Sequence, residues 1–323
     1  MYLITGAAGF IGSALVRYLN DRGSTDLLLV DDFQQYENKT PNLLDKQFTT
    51  RIERSELFDR WDAERWPLRG VYHLGARTDT AETDRDVFDI LNRAYSREIW
   101  RRCAARDLPL VYASSAATYG LGEHGFRDDH ELVNRLRPLN EYGRSKNDVD
   151  AWALQQTTAP PRWYGLKFFN VYGPNEYHKG RMASVVWHTF RQVKATGAMK
   201  LFRSHHPDYA DGEQRRDFVY VKDLCAVCHW LMTNAGAPSG LYNLGTGQSR
   251  TFRDLAEATF RAMGREPAIS FIDTPADLRE NYQYFTEADL SKLRRAGYAA
   301  PFTSLEEGVA DYVANYLRPG AYW

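Results

Sequence analysis

The chain has 323 residues, 43% of them hydrophobic and 26% charged, a composition typical of one large globular domain or two closely packed ones. Its 41 basic and 42 acidic residues give a formal net charge of -1, which argues against a global basic field for nucleic acid or acidic membranes. There is no apolar run of roughly 18 residues, and MYLITGAAGF lacks the features of a signal peptide, so we expect a cytoplasmic protein.

The first half of the chain alternates short apolar runs with helical patterns. Strand-like runs occur at 2–5, 27–31, 71–76, 109–115 and 164–170. Helical patterns begin near Phe10 and cover roughly 86–106 and 141–156. Such alternation predicts right-handed βαβ units, and therefore an α/β fold with a Rossmann-type doubly wound parallel sheet.

After residue 170 the pattern becomes mixed. Helices are predicted near 181–197, 223–234, 252–264, 287–296 and 304–317, with short strands such as MKLF, DFVYV and LYNLG between them. We predict a dinucleotide-binding Rossmann domain over 1–170. A smaller mixed α/β region over 171–323 is predicted to be mainly substrate-binding, with some segments returning to the Rossmann sheet.

The sequence GAAGFIG, residues 6–12, lies between the first strand and the first helix. Glycines at this position permit a tight turn and let a pyrophosphate approach the backbone, while the helix N-terminus offers free N–H groups. Asp31 ends the second strand 19 residues after Gly12, close to the separation expected for a ribose-binding acid. Asp31 and Asp32 favour NAD, whereas Lys39 could meet the 2′-phosphate of NADP, so the choice stays open.

A possible proton-transfer site begins at EYGRSK. Tyr142 and Lys146 are four residues apart and share one face of a helix. The ammonium is expected to depress the pKa of the phenol, ordinarily about 10, and so to help it exchange a proton with a substrate hydroxyl. Ser115, at the end of the strand VYASS, is placed to hydrogen-bond the reacting oxygen.

The three cysteines, Cys103, Cys225 and Cys228, cannot make a disulfide framework. The run from Cys225 to His229 has the spacing of a c-type haem attachment, but it lies in the helical pattern DLCAVCHWLM. We interpret both cysteines as part of a buried helix face and expect no metal site.

Taken together, GAAGFIG, the serine strand and YGRSK resemble the extended short-chain dehydrogenases/reductases. A narrower resemblance, to the ADP-L-glycero-D-manno-heptose 6-epimerase family, extends over nearly the whole chain. It is carried by YASSAATYG, EYGRSK, FFNVYGPNEYHKGRMASV, RRDFVYVKD, YNLGTG and YQYFTEADLSKLRRAGY. The HKGRMASV and YQYFTEADL blocks are the most specific to it.

The resemblance implies an isomerase that converts ADP-D-glycero-D-manno-heptose to ADP-L-glycero-D-manno-heptose for the lipopolysaccharide inner core. C6 is oxidised to a ketone, the group rotates, and hydride returns to the other face, with tightly bound NADP. It implies that Tyr142 is one acid/base, supported by Lys146 and Ser115, and that Lys179 is the second. It further implies a homo-oligomer, with a pentamer as one candidate.

The glycine loop and the resemblance together assign binding positions. For the cofactor they are Gly6, Gly9, Phe10, Ile11, Gly12, Asp31, Asp32, Lys39, Leu74, Gly75, Ala76, Arg77, Thr78, Asn92, Lys146 and Val171. For the sugar nucleotide they are Asn170, Arg181, His188, Phe202, Ser204, Arg216 and Tyr282. Arg216 suits a diphosphate, with a surface ion pair as its alternative, and a packed helix histidine is the alternative for His188.

Several residues depart from the family pattern, which leaves room for a different cofactor or sugar. They are Leu74 to Arg77 after the fourth strand, Asp32, Arg93 and Asn175. Another extended-reductase epimerase or dehydratase remains an alternative. A dehydratase would normally have an acid beside the catalytic serine, whereas Ser115 is followed by Ala116. A non-catalytic dinucleotide sensor is a remoter alternative, because the serine, tyrosine and lysine are all present.

Overall fold

In the computed structural model, which describes residues 1–34, 37–275, 279 and 282–323, a parallel sheet organises the chain. In chain order the strands are β1 (Tyr2–Thr5), β2 (Leu27–Asp31), β3 (Thr50–Glu53), β4 (Gly70–His73), β5 (Leu110–Ser115), β6 (Trp163–Phe168), β7 (Asn170–Tyr172), β8 (Met199–Phe202), β9 (Arg215–Tyr220), β10 (Gly240–Leu244), β11 (Ser249–Thr251) and β12 (Ile269–Ile272). Seven of them pair in parallel in the order β10-β6-β5-β4-β1-β2-β3. This is the predicted Rossmann-type α/β architecture.

Helices connect these strands. They are α1 (Phe10–Asn20), α2 (Leu57–Glu64), α3 (Arg85–Phe88), α4 (Tyr95–Ala105), α5 (Glu141–Leu154), α6 (Val185–Thr196), α7 (Val221–Thr233), α8 (Phe252–Met263), α9 (Ser291–Arg295) and α10 (Leu305–Tyr312). A π-helical segment, Asp89–Ala94, joins α3 to α4, and another, Val313–Leu317, follows α10. The 3₁₀ segments are Glu37–Leu43, Arg54–Glu56, Ala116–Tyr119, His130–Arg135 and Tyr177–Met182.

Both faces of the main sheet are covered, which explains why its strands are continuous apolar runs. Every residue of β2, β4 and β10 is buried. Successive residues of β1 point to opposite layers: Ile4 packs in the core that includes α1 and α7, and Leu3 in the core that includes α2, α4 and α5. Cys225 and Cys228 lie fully buried on α7, which confirms the predicted apolar helix face.

The second half of the chain adds two small sheets beside the carboxyl ends of the main strands. In one, β9 pairs in parallel with β7 and antiparallel with β11. In the other, β8 and β12 pair in parallel and pack with α6 and α8. The strand β10 pairs with β6, so the chain returns to the main sheet after residue 170.

Several boundaries differ from the predictions for local reasons. The strand predicted at 71–76 ends at His73, where Leu74 leaves the sheet for the loop against Gly6. The run 164–170 divides because Asn170 pairs with Phe218 in another sheet. The helix predicted from 181 begins at Val185, after Gly180 adopts a φ of +54°. No helix in the described ranges is long and apolar enough to cross a bilayer.

Candidate active site

The glycine loop forms a cradle that requires glycine. Gly6 has a φ of +67°, and a Cβ there would lie 2.7 Å from the Cα of Gly75. A Cβ at Gly12 would lie 2.0 Å from the carbonyl oxygen of Gly6. Helix α1 has no side-chain cap at Gly9, so its first N–H groups are available to a phosphate. The loop borders a cleft of about 390 Å³, called the dinucleotide cleft below, and its geometry fits a pyrophosphate.

Acids and bases are paired at the far end of the dinucleotide cleft. The carboxylate of Asp31 accepts the N–H of Ala8 at 2.9 Å and the ammonium of Lys39 at 3.1 Å. The carboxylate of Asp32 pairs with Arg54 at 3.0 Å. Asp31, Lys39 and Arg54 all line this cleft. Sequence reasoning missed Arg54, whose only signal is its position directly after the third strand.

The residues from Leu74 to Thr78 line the same cleft, and Asn92 holds them there. The side chain of Asn92 accepts the N–H of Arg77 at 2.8 Å and donates to its carbonyl oxygen at 3.0 Å. It also donates to Ser145 on α5 at 2.8 Å. Arg93 ties the same π-helical segment to Glu141 on α5 at 2.6 Å. Asn92 is predicted as a cofactor contact. In the structure it lies outside the described lining of the cleft and supports the backbone of Arg77.

A second, larger cleft of about 970 Å³, called the substrate cleft below, contains the predicted proton-transfer group. Ser115 at the end of β5 and both Tyr142 and Lys146 of α5 line it. Asn140 caps α5 by accepting the N–H of Gly143 at 2.8 Å, which fixes the start of the helix. The ammonium of Lys146 donates to the carbonyl oxygen of Ala113 on β5 at 2.7 Å. This hydrogen bond joins α5 to β5 one helical turn after Tyr142.

The acidity of this group differs from the prediction. Burial raises the pKa of Tyr142, and its hydrogen bond with Ser115 opposes that rise only in part. Burial also lowers the pKa of Lys146 to about 8, opposed by the nearby carboxylate of Asp150. The predicted depression of the phenol pKa by Lys146 is therefore wrong for this structure, because burial is the largest effect on Tyr142 and the ammonium of Lys146 donates to Ala113. Burial therefore favours the protonated form of Tyr142.

Lys179 lies where the two clefts meet, since it lines both of them together with Phe10 and Met182. Its Nζ is 5.6 Å from the centroid of the Phe10 ring. Burial lowers the pKa of Lys179, and the charge of Glu176 opposes this. The amine thus lies beside the glycine-loop helix and in the cleft that contains Tyr142.

The predicted sugar-nucleotide residues also line the substrate cleft, with one exception. Those that do are Asn170, Arg181, His188, Phe202, Arg216 and Tyr282. Val171, which is predicted as a cofactor residue, also lines this cleft. Ser204 lies outside the lining, where its N–H donates to Asp211 at 2.8 Å and its hydroxyl to the carbonyl of His206 at 3.1 Å. Burial lowers the pKa of His188, which lines the cleft as a neutral imidazole.

Arg216 is a buried cation in the cleft wall. Its guanidinium donates to the carbonyl oxygens of Arg215, at 2.9 Å, and Gln283. Its central carbon lies 5.4 Å from the ring centroid of Tyr282 and 5.5 Å from that of Phe252. Burial lowers the pKa of Arg216. Among the described residues no carboxylate pairs with Arg216, which does not fit the alternative of a surface ion pair.

The charge of the substrate cleft is one-sided. Among the described residues that line it there is no Asp or Glu, whereas five cationic side chains are present: Lys146, Lys179, Arg181, Lys200 and Arg216. The exposed Arg181 pairs with Asp79, outside this lining, at 2.9 Å. Such a cleft attracts an anionic ligand such as a nucleoside diphosphate and disfavours a reaction that needs a carboxylic acid.

Asn175, a departure from the family pattern, connects distant parts of the chain. It is buried with a φ of +78°, a conformation that asparagine tolerates better than most residues. Its amide donates to the hydroxyl of Ser13 on α1 at 3.1 Å and to the carbonyl of Trp323 at 2.9 Å. It accepts the N–H of Trp323 at 2.9 Å, and Tyr177 donates to the carbonyl of Ala321 at 2.7 Å. One side chain thus links α1, the segment before Lys179 and residues 321–323.

Comparison with known proteins agrees with this architecture. The model of the NAD dependent epimerase/dehydratase family matches residues 2–245. An ADP-L-glycero-D-manno-heptose-6-epimerase of Fusobacterium nucleatum subsp. nucleatum is 46% identical over 329 residues, which cover 98% of each chain. A protein with the same description from Nitratidesulfovibrio vulgaris is 48% identical over 320 residues, again covering 98% of each chain.

A solved structure is similar over the same extent. The crystal structure of the Helicobacter pylori ADP-L-glycero-D-manno-heptose-6-epimerase has a TM-score of 0.79 and 25% sequence identity, and the match covers 97% of this chain and 95% of that one. The likeness therefore includes both the Rossmann sheet and the region that carries β8, β9 and the substrate cleft.

Proposed function

Because the chain belongs to the NAD dependent epimerase/dehydratase family and, within it, to the ADP-L-glycero-D-manno-heptose-6-epimerases, we propose that it inverts C6 of an ADP-linked manno-heptose. The observation that carries the proposal is that Tyr142 and Lys179, from different elements, line one cleft free of carboxylates in its described lining. Inversion presents the C6 oxygen in two orientations, so two proton carriers suit it.

The cofactor is a nicotinamide dinucleotide, which the cradle of Gly6, Gly9 and Gly12 fits and which supplies reversible hydride transfer when bound. The chain itself moves the protons. In our proposal Tyr142 exchanges a proton with the C6 oxygen in one orientation, with Ser115 hydrogen-bonding that oxygen. Lys179 does so in the other orientation. Lys146 holds α5 against β5 and thereby fixes Tyr142.

The cationic wall orients the substrate. The buried guanidinium of Arg216 is suited to the diphosphate, because guanidinium binds phosphate oxygens through two donors at once. Binding energy from this remote group is available to hold C6 between the two proton carriers. A dehydratase reaction is disfavoured, because the residue beside Ser115 is alanine and the described lining of the cleft has no carboxylic acid.

Incubating the purified protein with each C6 epimer of the ADP-heptose, without added cofactor, tests this function. Proton NMR should show both samples reaching the same mixture of epimers, since the dinucleotide remains bound and is regenerated. The same experiment with UDP-linked hexoses should show no change. Conversion of another nucleotide sugar, with neither ADP-heptose converted, would contradict the proposal.

For the cofactor we propose NADP. Asp31 and Asp32 favour NAD, but Lys39 and Arg54 offset their charges at the ribose end of the dinucleotide cleft. Denaturing the purified protein should release NADP, identified by its mass. Substituting Arg54→Ala should weaken NADP binding about tenfold at low salt and change NAD binding little, because the lost cation would meet the 2′-phosphate, a group that NAD lacks.

Calorimetric titration of the dinucleotide-free protein with NADP and NAD measures this difference, and Lys39→Ala should act in the same direction. Arg60, a half-buried arginine on α2 paired with Glu64, offers a matched control as Arg60→Ala. Release of NAD from the wild type, with equal NADP affinities for wild type and Arg54→Ala, would overturn the NADP assignment.

Substituting Arg216→Ala should raise KM for the sugar nucleotide about 10- to 100-fold and lower kcat less, because a charge-assisted hydrogen bond to a diphosphate contributes roughly 1.5–3 kcal/mol. Steady-state kinetics with varied substrate would measure both constants. Arg215, the exposed neighbour on β9, gives the control Arg215→Ala. An unchanged KM for Arg216→Ala would show that the guanidinium does not bind the substrate.

The remaining parts of the proposal are less specific to the site. They are a cytoplasmic homo-oligomer, for which a pentamer is the candidate, a role in lipopolysaccharide core biosynthesis, and a division into dinucleotide-binding and substrate-binding regions near residue 170. A mass from light scattering would decide the oligomeric state.

A further inference from the structure

A buried carboxylate joins the two ends of the segment that carries Lys179. It lies outside the described lining of both clefts. Glu176 is 1% exposed, and its two carboxylate oxygens accept the N–H of Ser184 at 2.5 Å and the hydroxyl of Ser184 at 2.6 Å. Ser184 is the residue that caps α6. The proposed mechanism gives this buried acid no role, although burying a charge is costly and calls for an explanation.

These contacts make a clamp around the proton carrier. Glu176 precedes the 3₁₀ segment Tyr177–Met182, and Ser184 follows it, so their hydrogen bonds join the two ends of the segment. Within the segment, the N–H of Lys179 donates to the carbonyl oxygen of Glu176 at 2.9 Å. Gly180 completes the turn with a φ of +54°. The conformation that presents Lys179 to the cleft is therefore fixed at both ends.

We propose that Glu176 is a positioning residue for Lys179: its carboxylate clamps the 177–182 segment and stabilises the charged form of the amine. The inference rests on the proposed function of Lys179 as an acid/base. Burial favours loss of the proton from Lys179. The charge of Glu176, three residues before it in the same turn, opposes that loss and keeps the ammonium available as a proton donor.

The groups around the pair support this role. Burial lowers the pKa of Lys179, and Glu176 is the charged group that opposes the shift. The adjacent His178, on the dinucleotide side, has a pKa lowered to about 4 and is neutral at pH 7. Around Glu176, burial raises the pKa of its own carboxyl, while Ser184 and the charge of Lys179 favour ionisation. Burial keeps Tyr312, packed against Glu176, in its neutral form by raising its pKa.

The test measures the proton affinity of Lys179 without relying on activity. Protein with its dinucleotide bound is treated briefly with acetic anhydride over a range of pH, and acetylation of the Lys179 peptide is quantified by mass spectrometry. In Glu176→Gln, which keeps the size of the side chain but removes its charge, the midpoint of labelling should move down by about 1 pH unit. A purely structural defect would move it up, because an amine released into water regains its ordinary pKa.

Activity measurements complete the test. The limb of the pH–rate profile that reports Lys179 should move down together with the labelling midpoint in Glu176→Gln. Ser184→Ala keeps the charge and loosens the clamp, so it should lower kcat about 3- to 10-fold and leave the midpoint in place. Glu307 bonds Ser304 at the start of α10 in a similar way, so Glu307→Gln is the matched control and should change neither quantity.

Each outcome decides the proposal. An unchanged or raised midpoint in Glu176→Gln overturns the charge effect, and an unchanged kcat in Ser184→Ala overturns the clamp. If Glu176→Gln does not fold, the kcat of Ser184→Ala alone decides whether the clamp positions Lys179. Failure of the proposed function is distinguishable, because the wild type would then convert neither epimer while the labelling midpoints remained measurable.

Discussion

Replacing Lys179 by methionine is expected to lower kcat for epimerisation by about 10²- to 10⁴-fold, the contribution that a positioned acid/base group makes to catalysis. Methionine retains a long apolar side chain beside Phe10 but cannot carry a proton. NMR of the two ADP-heptose epimers measures the rate in each direction. Lys194→Met, on the exposed face of α6 and outside the described lining of both clefts, is the matched control and should retain wild-type turnover.

Because each proton carrier serves one epimer, the loss of Lys179 should affect the two epimers differently. Without Lys179, the epimer whose C6 hydroxyl gives its proton to Tyr142 can still be oxidised once, whereas the other epimer cannot. Mixing the variant with each epimer in turn should therefore reduce bound nicotinamide with one of them only, visible in the absorbance of the dihydronicotinamide. Near-wild-type turnover of Lys179→Met, or equal reduction by both epimers, would contradict the assignment of Lys179.

Replacing Tyr142 by phenylalanine is expected to lower kcat by a similar factor, about 10²- to 10⁴-fold, because the ring still fills the cleft wall while the proton is lost. In Tyr142→Phe, single-turnover reduction of the nicotinamide should persist with the epimer that Lys179→Met cannot oxidise. The dinucleotide content after purification should match that of the wild type, since the glycine cradle is untouched.

Tyr164→Phe provides the control for Tyr142→Phe. Its hydroxyl donates to the carbonyl of Ala237 at 3.0 Å, remote from the described lining of the cleft, so its loss tests the cost of removing a buried hydroxyl. We expect a small loss of stability and unchanged kinetics. If Tyr142→Phe retained more than about a tenth of wild-type kcat, Tyr142 would not be an acid/base of the reaction.

The parts of the site that the sequence predicted are those encoded by short, regular spacing. The glycine loop and Asp31 follow from a strand–turn–helix–strand pattern, and Tyr142 and Lys146 from helical periodicity. Parallel strands bring their carboxyl ends to one edge of the sheet, so the loop at Gly6, Leu74 and Ser115 meet there. Local pattern and fold class together were sufficient for these residues.

The remaining features depend on contacts between distant segments. Nothing near Arg54 in sequence shows that it would reach Asp32, and the brace made by Asn92 needs α5 to be packed first. Ser204 was assigned by resemblance alone, and it lies outside the described lining of the cleft, bonded to Asp211. The pKa of Tyr142 was predicted in the wrong direction because the effect of burial is set by the whole fold, whereas the sequence displays only the nearby charge.

The link made by Asn175 has a consequence for how the protein is built during translation. The Rossmann strands up to β6 emerge early, and domains generally begin to fold as they leave the ribosome. Asn175 can meet Ser13 as soon as both have emerged, whereas its two hydrogen bonds with Trp323 form only after residue 323 has been synthesised. The segment before Lys179 therefore gains its hydrogen bonds to residues 321–323 later than those to α1, and its support is completed after the Rossmann strands have formed.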